Sequence, residues 1–173
     1  MSKKIKQPNN QEVPAINKDA KIKWDDLLQM YNDIAAIIKS SVKTLETAGG
    51  TFKDLIENDK QLALEFNGIS ATLENLSHEL VNILNHHSKK ETNEDGSVRY
   101  LPYTGLVNLD DDNQQQLYIT IVLAYNGLYD KIESVVNISL THYMGLINEK
   151  SGRDSISDKD MVKTILDNSK TDK

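Results

Sequence analysis

The chain holds four histidines, His78, His86, His87 and His142, and no cysteine, so any metal or nucleophilic chemistry falls to His, Asp, Glu, Ser and Thr. A zinc pair on one helix face needs two ligands at i and i+4, and no two histidines stand at that spacing. Di-iron bundles need Glu-x-x-His, and no histidine has Glu three residues before it. The acidic runs Asn93-Glu94-Asp95-Gly96-Ser97 and Asp110-Asp111-Asp112 offer oxygen ligands. Neither run sets oxygen ligands at alternate positions with a glycine and a terminal glutamate at the fixed offsets of a calcium loop, and turn and cap chemistry accounts for them. No glycine-rich phosphate loop is present, no nucleophile elbow, and no carboxylate pair inside an apolar stretch where pKa values would diverge. The reading is a non-enzyme without cofactor or metal.

Leu101-Pro102-Tyr103-Thr104-Gly105 matches the letters of a sortase sorting signal but lacks the hydrophobic stretch and basic tail that must follow it. The segment is instead the apolar part of an acidic loop over residues 88–112. Residues 91–112 carry Glu91, Glu94, Asp95, Asp110, Asp111 and Asp112 against Arg99 alone. Tyr100, Leu101, Tyr103 and Leu106 lie within it, and apolar residues in such a loop usually fold back as a lid or reach out to a partner. A lid is the favoured reading. Tyr100, Leu101, Tyr103, Leu106, Asp110 and Asp111 are the loop's candidate interaction residues.

The elements that must position these groups are helical. The apolar residues Trp24, Leu28, Tyr31, Ala35, Ile38, Val42 and Leu45 recur every three or four positions, flanked by a second row of Leu27 and Ile34. This predicts a helix over 22–48, ended by Gly49-Gly50, with Thr51 capping a second helix at once. In the second helix, 52–87, Leu62, Phe66, Ile69, Leu73, Leu76, Leu80 and Ile83 keep a four-three period like that of a coiled-coil seam. The third, 113–150, starts after three aspartates that suit a helix N-terminus. Its seam reads Ile121, Tyr125, Leu128, Ile132, Val135, Ser139 and Leu146, with His142, like His87 in the second helix, in seam register. Beside it Val122, Tyr129, Val136 and Tyr143 repeat at intervals of seven, which predicts a two-sided helix with a face for a partner. A hairpin turning at Asn126-Gly127 is the rival reading, rejected because the helical period runs through without a slip. A short helix over 157–168, capped by Ser157, closes the chain.

The fold class expected is all-α: an elongated antiparallel three-helix bundle, coiled-coil-like, with a short C-terminal helix within 151–173. Residues 1–20, rich in Asn, Gln and Pro, read as an extended basic arm carrying Lys3, Lys4 and Lys6. The net charge of −6 disfavours nucleic-acid binding except through that arm. No apolar signal region or membrane span is read, which leaves a cytoplasmic protein, or a virion component if phage-encoded. The leading functional expectation is a structural or assembly protein that forms a homo-oligomer or joins a larger complex. The alternatives are a monomeric regulatory adaptor or inhibitor binding a host protein through the acidic loop, and a nucleic-acid accessory factor using the basic arm.

Overall fold

The computed structural model describes residues 16–86, 88–152, 163, 165–167 and 170. The described chain is mostly helical with one small two-stranded sheet. The order is α1 (Trp24–Thr51), α2 (Lys53–Asn58), α3 (Lys60–His86), β1 (Ser88–Thr92), β2 (Val98–Pro102), α4 (Asp112–Ser134), a π-helical segment (Val135–Leu140) and α5 (Thr141–Lys150). Lys163, Ile165, Leu166, Asp167 and Lys170 are also helical, within the region expected to hold the terminal helix. The basic lysines Lys3, Lys4 and Lys6, His87 and the Ser157 cap lie outside the described residues.

α1, α3 and α4 pack pairwise around a shared apolar core. Their directions follow from side-chain pairs. Lys131 meets Glu79, His142 meets Glu65 and Lys150 meets Asp59, so α4 and α5 descend as α3 rises. Trp24 stands edge-on to Tyr118 at 6.2 Å, which places the start of α1 beside the start of α4.

The break between the first two long helices is not at the glycine pair. Gly49 and Gly50 are helical, and α1 continues to Thr51. The chain bends at Phe52, makes the six residues of α2, and turns again at Asp59. There the Asp59 carboxylate accepts from the backbone N–H groups of Gln61 and Leu62 at 3.0 and 3.1 Å, so it caps α3 in the role expected of Thr51. Gly49 serves close packing instead: a Cβ built there would lie 2.9 Å from the Phe66 ring.

The α3 seam is as expected, with Leu62, Ile69, Leu73, Leu76, Leu80 and Ile83 buried and Phe66 half-buried. In α1 the flanking row is the deepest part: Leu27 and Ile34 are buried, whereas Leu28 is exposed and Tyr31, Ala35 and Val42 are half-buried. The reason is that α1 serves two neighbours, α3 and α4, so its core face centres between them. Ser40 and Ser41 are buried as well. Ser41 Oγ donates to the Ile37 carbonyl at 2.8 Å, and Ser40 Oγ to the Ile165 carbonyl at 2.9 Å, tying the C-terminal residues to α1.

The expected unbroken third helix contains one register change. Six residues, Val135–Leu140, are π-helical. A π turn takes an extra residue, so side chains beyond it are rotated relative to the α-helical continuation. Ile121, Tyr125, Leu128 and Ile132 are buried as expected, but after Val135 the core passes to Val136, Leu140, Tyr143 and Ile147. Ser139 and His142, both in the expected seam, are exposed, and Leu146 is half-buried. The rejected hairpin at Asn126-Gly127 is absent, since both residues lie within α4.

Candidate interaction surfaces

The column Val122, Tyr129, Val136 and Tyr143 does not form one face. Val122 is half-buried and Tyr129 exposed before the π turn, while Val136 and Tyr143 are in the core after it. The rotation that removes Ser139 and His142 from the core brings these two in. Val136 and Tyr143 are therefore packing residues, and the two-sided helix is corrected to a single core face that changes column. Tyr143 packs 6.2 Å from the Phe66 ring. Burial, with the negative Glu65 nearby as a smaller contribution, pushes the Tyr143 hydroxyl up to about 12. Burial also drives Tyr125 far above the usual phenol range, assisted by Tyr31. Neither buried hydroxyl has a hydrogen-bond partner.

The acidic loop is structured. Its first half is an antiparallel hairpin in which Lys90 faces Tyr100, Glu91 faces Arg99 and Thr92 faces Val98. Arg99 binds Glu91 through both Nε and Nη2, at 3.0 and 2.8 Å. The turn is closed by Asn93 N–H donating to the Ser97 carbonyl at 2.8 Å, with Gly96 at φ +80°, a conformation that suits glycine. Asp95 accepts from Ser97 Oγ and N, and these two bonds hold its carboxyl below the usual range.

Its second half is a lid. Trp24 N–H donates to the Gly105 carbonyl at 3.0 Å and Val107 N–H to the Ile22 carbonyl at 2.9 Å, which binds the strap to the start of α1. Tyr103 stacks on Trp24 at 4.9 Å, Lys89 Nζ lies 5.5 Å from the centre of the Tyr103 ring, and Val107 and Leu109 are buried. Asp111 Oδ1 accepts from Asn113 N–H at 2.9 Å and caps α4, while Asp110 is exposed. The candidate residues thus divide. Leu101 and Tyr103 are half-buried, and Tyr100, Leu106 and Asp110 face solvent. Because side chains alternate along a strand, Val98 and Tyr100 share the outward sheet face, opposite Leu101.

A further surface was not anticipated. α3 and the π segment enclose an open groove lined by Glu65, Gly68, Ile69, Thr72, Val135, Ile138, Ser139 and His142. Ile138 is 65% exposed and Leu64, one turn before Gly68, is 63% exposed, more than the other exposed large apolar side chains of the described chain. Both were visible in the sequence as apolar residues off the seam. What the sequence did not reveal is that Ile138 borders a groove against α3, because that depends on the π turn.

Among the described residues no group of three or more His, Asp or Glu is placed to hold a metal ion, and no helix is long and apolar enough to cross a membrane. Comparisons with protein-family models, with curated proteins and with solved structures give no significant match to this chain.

Proposed function

We propose that this chain is a non-catalytic structural or assembly protein, an elongated antiparallel three-helix bundle with coiled-coil-like packing that associates with copies of itself or with a larger complex. The observation that carries the reading is Ile138, exposed at the rim of a groove between long helices that Ile69 and Val135 also line. Large apolar side chains clustered at a concave surface are the usual mark of a protein contact, whereas isolated ones are unremarkable. A phage virion or its assembly apparatus suits the Lys-, Asn-, Ile- and Asp-rich composition. Sedimentation velocity over a wide concentration range tests the reading: self-association is expected, and a strict monomer recovered without a protein partner on native purification would count against it.

A second reading is favoured by the hairpin. Val98 and Tyr100 are exposed on a hairpin whose first strand carries Glu91 and whose turn carries Glu94 and Asp95, a combination suited to an adaptor or inhibitor docking one protein. Replacing Val98 and Tyr100 by Ser abolishes capture of that partner under this reading and leaves self-association unchanged.

A further inference from the structure

We infer that the free edge of β2 takes up an extended segment of another protein as a third strand, antiparallel to β2 and with basic residues following its paired stretch. This rests on the adaptor reading and names both the part of the hairpin that binds and the chemistry of what it binds.

The unused groups follow from the register. Ser88 faces Pro102, Thr92 faces Val98, and the bond from the Asn93 N–H to the Ser97 carbonyl closes the ladder at the turn. Bonded and non-bonded pairs alternate along an antiparallel ladder, so Arg99 and Leu101 turn their N–H and C=O groups towards β1. Val98 and Tyr100 turn theirs away, as Pro102 does its carbonyl. The sheet has two strands, and among the described residues no other backbone group meets these. Pro102 fits this pattern, because its nitrogen faces the open edge and no ladder bond is missed. Both faces of the hairpin are largely exposed, with Val98 at 43% and Tyr100 at 48%. Two strands alone are marginal in water, and a third adds backbone bonds and apolar cover together.

The edge of β2 is better suited than that of β1. The outward-bonding positions of β1 are Ser88, Lys90 and Thr92, and a lysine on an edge discourages pairing. On β2 they are Val98, Tyr100 and Pro102, whose side chains share one face, so the added strand needs apolar residues at alternate positions there. The C-terminal end of an antiparallel partner lies next to Val98 and the turn. Glu94 and Asp95 are exposed in that turn, whereas Arg99 is bound to Glu91. Lysine or arginine following the paired stretch therefore meets carboxylates.

The probe is a synthetic peptide, Val-Thr-Val-Thr-Val-Lys-Lys, labelled at its N-terminus and titrated with the full chain by fluorescence anisotropy. Saturable binding is expected. Replacing its central valine by proline removes the donor to the Tyr100 carbonyl and weakens binding roughly fivefold or more. Replacing both lysines by glutamate weakens it at low salt and less so at high salt. In the protein, Val98→Pro deletes one outward N–H, keeps an apolar side chain and spares every ladder bond. It weakens binding by roughly fivefold while the circular dichroism spectrum stays unchanged. The proline peptide carries the test alone if Val98→Pro fails to fold. Amide hydrogen exchange locates the strand: in the free chain Val98 and Tyr100 exchange faster than Arg99 and Leu101, and the peptide slows them. Absent binding, or binding indifferent to both prolines, overturns edge pairing. Protection of the same amides that grows with protein concentration, without peptide, assigns the edge to a second copy and also overturns it. The adaptor reading fails separately, if capture of the native partner survives the combined Val98→Ser and Tyr100→Ser change.

Discussion

The Thr141 hydroxyl donates to the carbonyl of Val136, five residues earlier, at 2.7 Å, and both residues are buried. This bond sits where α geometry resumes after the π segment, and it ties a side chain to the turn that moves the core from one column of α4 to the next. Thr141→Val keeps the shape and the β-branch but removes the donor. A buried hydrogen bond of this kind contributes about 1 kcal/mol, and leaving an acceptor unpaired can cost up to about 3 kcal/mol. Urea unfolding of Thr141→Val is expected to show a loss within that range without change in m-value. A variant as stable as wild type would mean that the hydroxyl is incidental to the π turn.

The extra residue of the π turn also makes a deletion testable. The buried positions Ile132, Val135 and Leu140 are spaced three and five, with Val136 also buried inside the longer gap, and Tyr143 and Ile147 follow Leu140 at three and four. Removing Asn137 closes the gap of five to four and yields an unbroken α-helical seam. Unlike most internal helix deletions, this one is expected to fold, with stability within about 2 kcal/mol of wild type. Deleting Asn126 instead shifts everything beyond it out of register, and that chain is expected to lose cooperative unfolding. Thermal melts followed by circular dichroism distinguish the two.

How much of this was legible depends on where the information lay. The α3 seam is readable because one helix packed along its whole length shows an uninterrupted period. The π turn left only the weak sign of Ser139 in an apolar seam, since periodicity averages over a single inserted residue. The hairpin escaped because its strands are largely exposed, so Lys89, Lys90, Glu91 and Arg99 give no alternation of apolar and polar residues; only the Asp95-Gly96 turn was visible. The cap at Asp59 was hidden behind the stronger signal of Gly49-Gly50. That pair reads as a helix end, and the real requirement for glycine, the approach of Phe66, is a tertiary contact.

The glycine pair gives a contrast within one helix. At Gly50 a Cβ meets nothing, so Gly50→Ala is expected to stabilise by about 0.5 kcal/mol through helix propensity. At Gly49 the same methyl must displace the Phe66 ring, which packs on Tyr143. Gly49→Ala should therefore fall below Gly50→Ala by about 1–2 kcal/mol, the usual cost of overpacking. Equal effects in denaturant titrations would show that the ring moves freely.

Asp59 joins two functions, capping α3 and receiving Lys150 from the end of α5. The bond from Lys150, then that from the Leu62 N–H, hold its carboxyl below the ordinary value of 3.8. A depressed folded pKa contributes stability above the unfolded value and loses it as pH falls through the folded one. Asp59→Asn retains a capping oxygen but lacks the charge, so its deficit relative to wild type is expected to be full at neutral pH and to vanish well below pH 3.8. Asp59→Ala loses the cap as well, and that further deficit persists in acid. Unfolding measured from pH 7 to pH 2 separates the two contributions.

Tyr125 and Tyr143 work in the opposite sense. Each keeps its hydroxyl buried without a partner, so deleting the oxygen removes a desolvation cost: Tyr125→Phe and Tyr143→Phe are each expected to be neutral or stabilising by up to about 1 kcal/mol near pH 7. Both folded pKa values are raised above the ordinary phenol value of 10.0, Tyr143 to about 12 and Tyr125 further. A raised pKa means that stability is complete below the unfolded value and is lost as pH climbs from there towards the folded one, because the unfolded chain releases the proton first. Wild type should thus weaken steadily from about pH 10 upward, and the double Phe variant should weaken less over the same interval. Parallel alkaline denaturation curves for the two proteins would show that these hydroxyls reach water or a partner in solution.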